Sequence, residues 1–163
     1  MEVEKVGRGF EDFIPYADIV FVSKVKPGSV SLHLTDPLSQ DVALEHGLTS
    51  KEEAVAGFKS RLKEGGGLVV AWGELGAACF HPAENNGEIF SCPASPPQGG
   101  VLDTLGAGDT FNAAVIGGLA AGLSLSRSVS LGCRLAGLKV GFRGFAGLKG
   151  EARSIMKEAL CEI

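Results

Sequence analysis

Two short stretches leave this chain little freedom. Residues 17–23 (A-D-I-V-F-V-S) and 68–72 (L-V-V-A-W) are unbroken runs of apolar, β-branched and aromatic side chains. A strand that is apolar on both faces has to be covered on both, which is the mark of a buried parallel strand. Between them lies a helix signal. Residues 49–53 (T-S-K-E-E) hold two overlapping capping boxes, Thr49 with Glu52 and Ser50 with Glu53, and Ala54, Val55, Phe58 and Leu62 follow at helical spacing. The pattern predicts a helix over 50–63, ended by Gly65 to Gly67. Strand, helix, strand in that order predicts an α/β fold: a layered, mostly parallel sheet with right-handed crossovers.

The remaining elements read in the same way. Residues 4–14 form a short helix weakened by Gly7 and Gly9. Ala77 to Phe80 and Glu88 to Ser91 form a β-hairpin turning at Asn85-Asn86-Gly87. A helix is expected over 107–121, a second over 126–140 capped by Ser124 or Ser126, and a third over 151–160 with Ile155, Met156 and Leu160 facing the core. Gly is abundant, 24 of 163 residues, which predicts many tight turns and close backbone approaches.

Composition removes several function classes. The length suggests one domain, residues 1–163, and 45% hydrophobic residues give ample core. The net charge is −4 and no basic patch is interleaved with aromatics, so no nucleic acid partner is expected. No apolar run approaches a membrane span, and M-E-V-E-K is no signal peptide, so no membrane partner is expected. Cys79, Cys92, Cys133 and Cys161 lack C-x-x-C spacing, and His33, His46 and His81 lack ligand spacing. No metal site is expected, and the scattered cysteines fit a reducing, cytoplasmic setting.

The chemistry concentrates at residues 103–111, D-T-L-G-A-G-D-T-F. They follow a Pro/Gly-rich segment and precede a run of small apolar residues, so a loop enters a helix here. Gly106, Ala107 and Gly108 leave the first amides of that helix uncovered. Such amides lack intrahelical partners and sit at the positive end of the helix dipole, which makes an anion site. Asp109 places a carboxylate beside it. The pair suits phosphoryl transfer, with amides on the phosphate and the carboxylate as proton acceptor. An ordinary helix start, in which the Asp pairs with free amides, uses the same residues.

Read whole, D-T-L-G-A-G-D-T-F-N resembles the C-terminal signature of the ribokinase-like, or PfkB, carbohydrate kinases. The likeness is strongest to the ketohexokinase branch, the fructose 1-kinases. It extends through V-F-V-S-K (20–24), A-W-G-E-L-G-A (71–77), G-C-R-L-A-G-L-K-V-G (132–141) and G-F-A-G-L (144–148). It covers most of this chain but only about the second half of such a kinase.

The resemblance implies a ribokinase-like three-layer sandwich that lacks its N-terminal strands and lid. It implies ATP and Mg²⁺ as cofactors, with a monovalent cation such as K⁺, and a ketose, D-fructose foremost, as substrate. Asp109 would be the catalytic base at the sugar hydroxyl. Gly106, Ala107 and Gly108, with the Asp109 amide, would form the anion hole. Gly73, Glu74, Leu75 and Gly76 match the nucleotide-binding loop, where a strand-to-hairpin turn needing glycines is the alternative. Gly137, Val140 and Gly141 match a segment on the adenine side, and close packing explains those glycines equally well. Asn112 supports the anion hole or is an ordinary helix-face residue. Asp103 and Thr104 position the loop, cap the helix or touch the cation. Ala146 stands where the branch leads one to expect a polar or acidic residue.

The family's sugar-gripping half and dimer-forming lid are not matched. The isolated chain is therefore expected to show little or no sugar phosphorylation, and the homodimer of the full-length family is not carried over to it. A non-catalytic adenine-nucleotide-binding module and an incomplete gene product are the alternatives. Residues 25–40 read as an insertion relative to the family. Val25-Lys26 and Leu38-Ser39-Gln40 admit codons resembling splice edges, so a retained intron and a plain surface insertion both fit.

Overall fold

The computed structural model describes residues 2–3, 14–23 and 49–161. The helix expected over 4–14, the insertion at 25–40, and His33 and His46 fall largely or wholly outside those residues. Among the described residues the strands are β1 (Glu2–Val3), β2 (Ile19–Ser23), β3 (Gly67–Ala71), β4 (Ala77–Phe80) and β5 (Phe90–Cys92), with β1, β2 and β3 neighbours in chain order. The helices are α1 (Lys51–Phe58), α2 (Ala107–Ala120), α3 (Leu125–Val140) and α4 (Lys149–Cys161). The chain divides into two compact units, residues 1–73 with 78–89, and residues 74–77 with 90–163.

In the first unit β1 pairs parallel with β2, Glu2 opposite Phe21. β2 pairs parallel with β3, from Ile19 opposite Gly67 to Ser23 opposite Ala71. The apolar runs are buried on both faces as expected: Val20, Phe21, Val22, Leu68, Val69 and Val70 all lie inside. Val20, Val22, Leu68, Val70 and Trp72 pack with Ala54, Val55 and Phe58 of α1 in one core. Of the two capping boxes the chain uses the second. Ser50 Oγ accepts from Glu53 N at 3.1 Å, and the Glu53 carboxylate accepts from Thr49 N and Oγ1 at 2.7 and 2.9 Å. The helix is shorter than expected because its last turn tightens to a 3₁₀ turn at Lys59–Arg61. The Asn85-Asn86-Gly87 turn has Asn85 and Asn86 both at positive φ, with Gly87 N donating to Glu84 O at 2.9 Å, as in a type I′ turn, and the strand after it starts at Phe90 rather than Glu88.

In the second unit α2 and α3 lie close because glycines let them. A Cβ on Gly118 would stand 2.7 Å from Ser128 Oγ, and one on Gly132 2.8 Å from Phe111 and Val115. α2 ends in a Schellman motif: Gly122 at φ +90°, with Leu123 N donating to Gly118 O at 3.0 Å and Gly122 N to Leu119 O at 3.0 Å. Ser124, not Ser126, caps α3 by accepting from Arg127 N at 3.3 Å. Ile155, Met156 and Leu160 of α4 pack on Leu131 and Leu135 as expected. Arg127 donates to Ala159 O at 3.3 Å, and Arg134 pairs with Glu158 at 2.6 Å.

Candidate active site

The loop before α2 is tied to the end of α3. Val140 O accepts from Leu102 N at 2.7 Å and from Asp103 N at 3.2 Å. Asp103 then organises the turn. Its Oδ1 accepts from Leu105 N at 2.9 Å, its Oδ2 from Gly144 N at 3.0 Å and Lys139 Nζ at 2.9 Å, and its own carbonyl from the same Nζ at 2.9 Å. The Lys139 hydrogen bond, then the Gly144 and Leu105 amides, hold the Asp103 carboxyl down to about 2. Of the three roles open to Asp103 in the sequence, this geometry supports the loop anchor.

Gly106 follows at φ +76° as the N-cap of α2, and no side chain caps the helix. The left-handed backbone favours glycine here, and a Cβ would also press on the far end of the exposed Phe145 ring, 2.5 Å from its Cζ. Gly106 O accepts from Thr110 N at 2.9 Å and from Thr110 Oγ1 at 2.8 Å. Ala107 N donates to Thr104 O at 3.2 Å, so the amides left facing outward at this helix start are those of Gly108 and Asp109. Gly108 has nothing within 4 Å of where a Cβ would sit. Asp109 is exposed and lines a concavity of about 390 Å³ with Thr110, Ala113, Ala114, Leu135, Phe145 and Met156. Asn112 is half-buried in the next part of the turn.

The other expected site residues are placed by packing. Gly76, at φ +88°, brings the chain so near the Cys92–Ala94 segment that a Cβ would meet Cys92 O at 2.2 Å. Gly73, at φ +59°, is open, and Glu74 and Leu75 are exposed in a 3₁₀ turn after β3. A Cβ on Gly137 would meet Ser95 O at 1.6 Å, and one on Gly141 would meet Pro97 at 2.8 Å. These two glycines seat the Pro/Gly-rich segment on α3. Among the described residues no three His, Cys, Asp or Glu side chains gather to hold a metal ion, and no helix is long and apolar enough to cross a membrane.

Lys139, which lies between the Gly137 and Gly141 of the adenine-side segment, does not stand out in the motifs, yet it is fully buried. The signal was present: Lys139 continues the i, i+4 stripe of Leu131 and Leu135, both buried.

Solved structures set the class. A ribokinase from Cryptococcus neoformans in complex with ADP superposes with a TM-score of 0.63 at 21% identity, over 92% of this chain and 46% of that one. A putative ribokinase II from Escherichia coli in complex with ATP and Mg²⁺ gives 0.61 at 22% identity, over 91% and 42%. The fold is thus the ribokinase-like α/β fold. Sequence narrows the class: the pfkB family carbohydrate kinase model matches residues 8–147. Mouse ketohexokinase is 39% identical over 148 residues, 91% of this chain and 43% of that protein. The chain belongs to the pfkB family of carbohydrate kinases, and it spans less than half the length of that curated relative.

Proposed function

We propose that this chain carries the nucleotide-binding and catalytic-base portion of an ATP-dependent ketose kinase, with D-fructose as the foremost substrate and fructose 1-phosphate as product. The observation that carries the reading is the start of α2, where an exposed carboxylate, Asp109, stands beside the uncapped amides of Gly108 and Asp109. The identity to mouse ketohexokinase supports the choice of sugar.

In this reading the outward amides hold the transferring phosphoryl group and offset the charge that builds on its oxygens. Asp109 accepts the proton of the sugar hydroxyl as its oxygen bonds to the γ-phosphorus and the bond to ADP breaks. Asp109 and the ring of Phe145 border the concavity in which the reacting groups would meet. Gly73 to Gly76 and the Gly137–Gly141 segment would border the nucleotide. Mg²⁺, carried on the nucleotide phosphates, supplies charge neutralisation when bound. A monovalent cation is given no ligands in this reading, and no sugar-gripping residue is assigned to this chain.

The experiment is a pair of measurements on a full-length protein containing this segment. Asp109→Asn is expected to lower fructose phosphorylation by roughly 10²–10⁴-fold while ATP binding, followed by calorimetry, stays near wild type. Retained turnover would overturn the base role. ATP binding with no response to fructose and no turnover in the wild type would instead favour a non-catalytic nucleotide-binding module.

A further inference from the structure

Lys139 is the one charged side chain fully buried among the described residues. An ammonium group taken out of water is unfavourable unless it is paired and hydrogen-bonded. Its Nζ reaches two acceptors of different kinds on one residue, the carbonyl and the carboxylate of Asp103, each at 2.9 Å. That double contact fixes both the main chain and the side chain of Asp103, which in turn holds the Leu105 and Gly144 amides. The same Nζ lies 5.5 Å from the centre of the Phe145 ring. That ring occupies the space a side chain on Gly106 would need. The segment leading into Gly106 and the ring lying on it therefore meet at a single ammonium group.

We infer that Lys139 is a positioning residue for the anion site at the start of α2; the inference rests on the phosphoryl-transfer reading of that site. Lys139 is too deeply buried to touch a ligand. It acts by keeping Gly106 in its left-handed conformation, so that the Gly108 and Asp109 amides face outward before any anion arrives. A site arranged in advance binds and stabilises charge without rearranging, and its quality depends on the groups that hold it. A neutral side chain at 139 leaves the Asp103 carboxylate on two amides alone and releases the Phe145 ring.

The test uses the full chain with ATP as the probe. ATP affinity by titration calorimetry and the thermal melt by circular dichroism are measured for wild type, Lys139→Met, Asp103→Asn and the double variant. Each single change is expected to weaken ATP binding about tenfold or more with the melt still cooperative. The double variant is expected to bind no worse than the weaker single, because the two residues act as one unit. Wild-type affinity, within about twofold, in folded Lys139→Met overturns the inference, as do losses that simply multiply in the double variant. Should Lys139→Met not melt cooperatively, Asp103→Asn carries the test, since its side chain is partly exposed, and wild-type affinity there overturns the inference equally. Should wild type itself not bind ATP, the site reading fails, and amide NMR decides the positioning role separately. Shifted Gly106, Gly108 and Asp109 resonances in Lys139→Met or Asp103→Asn support it, and unmoved ones overturn it.

Discussion

Around β2 and β3 the chain fills space with side chains; around α2 and α3 it keeps side chains out. In the first region Val20, Val22, Leu68, Val70 and Phe58 interlock with almost no exposure. Stability there follows apolar area removed from water, and a neighbour can shift to accommodate a small change. In the second region Gly106, Gly118, Gly132 and Gly137 each stand where a Cβ would collide with another group, and the polar link from Lys139 to Asp103 threads through the close contacts. A filled core degrades gradually when it is altered. A close approach fails at once where the obstructing atom is backbone, as Ser95 O is at Gly137.

That contrast is most easily broken at Gly137. Gly137→Ala sets a methyl group 1.6 Å from Ser95 O, so it is expected to cost about 4 kcal/mol or more in urea unfolding. A loss below about 1 kcal/mol would show that the 93–97 segment moves aside freely, and the contrast would not hold. Next in size is Leu68→Ala in the first unit. Leu68 is 1% exposed, and the expected loss is about 2–5 kcal/mol with cooperative unfolding retained, checked by the same titration.

The smallest effect is electrostatic and sharpens the comparison. The Asp103 carboxyl is lowered from 3.8 to about 2 in the folded chain. Its stabilising contribution is therefore complete above about pH 4 and disappears as the pH falls through about 2. Asp18, paired with Lys63 in the first unit, is also lowered, but its side chain is 91% exposed whereas the Lys139 partner of Asp103 is buried. Unfolding midpoints at about pH 5 and about pH 2.5, with and without added salt, are expected to show a salt-sensitive Asp18 contribution and a salt-resistant Asp103 one. Equal salt sensitivity in Asp18→Asn and Asp103→Asn would remove the distinction.

The first region was the more legible in the sequence. Two apolar runs and a capping box are local signals, and β2, α1 and β3 follow from them within a residue or two, apart from the tightened end of α1. The signature at 103–111 was equally plain, because it is contiguous and its Gly106 takes up the left-handed backbone that favours glycine. What the sequence left ambiguous was long-range. Gly137 and Gly141 read as adenine-side or packing residues, and the close approach of Ser95 and Pro97 to them joins residues about 40 positions apart in the chain. Asp103 has three candidate roles, and its bond to Lys139, 36 residues away and 2.9 Å distant, supports the loop anchor. Asn85 and Asn86 illustrate turn chemistry rather than distance: both tolerate positive φ, which is what the tight turn here requires.

The bare start of α2 also gives the protein a thermometer. If the uncapped amides hold an oxyanion as proposed, a ligand that binds only the folded chain raises its melting temperature, and more so the tighter it is held. Heating a panel of phosphates, nucleotides and carboxylates with this chain would thus rank what the helix accepts, with no sugar and no turnover needed.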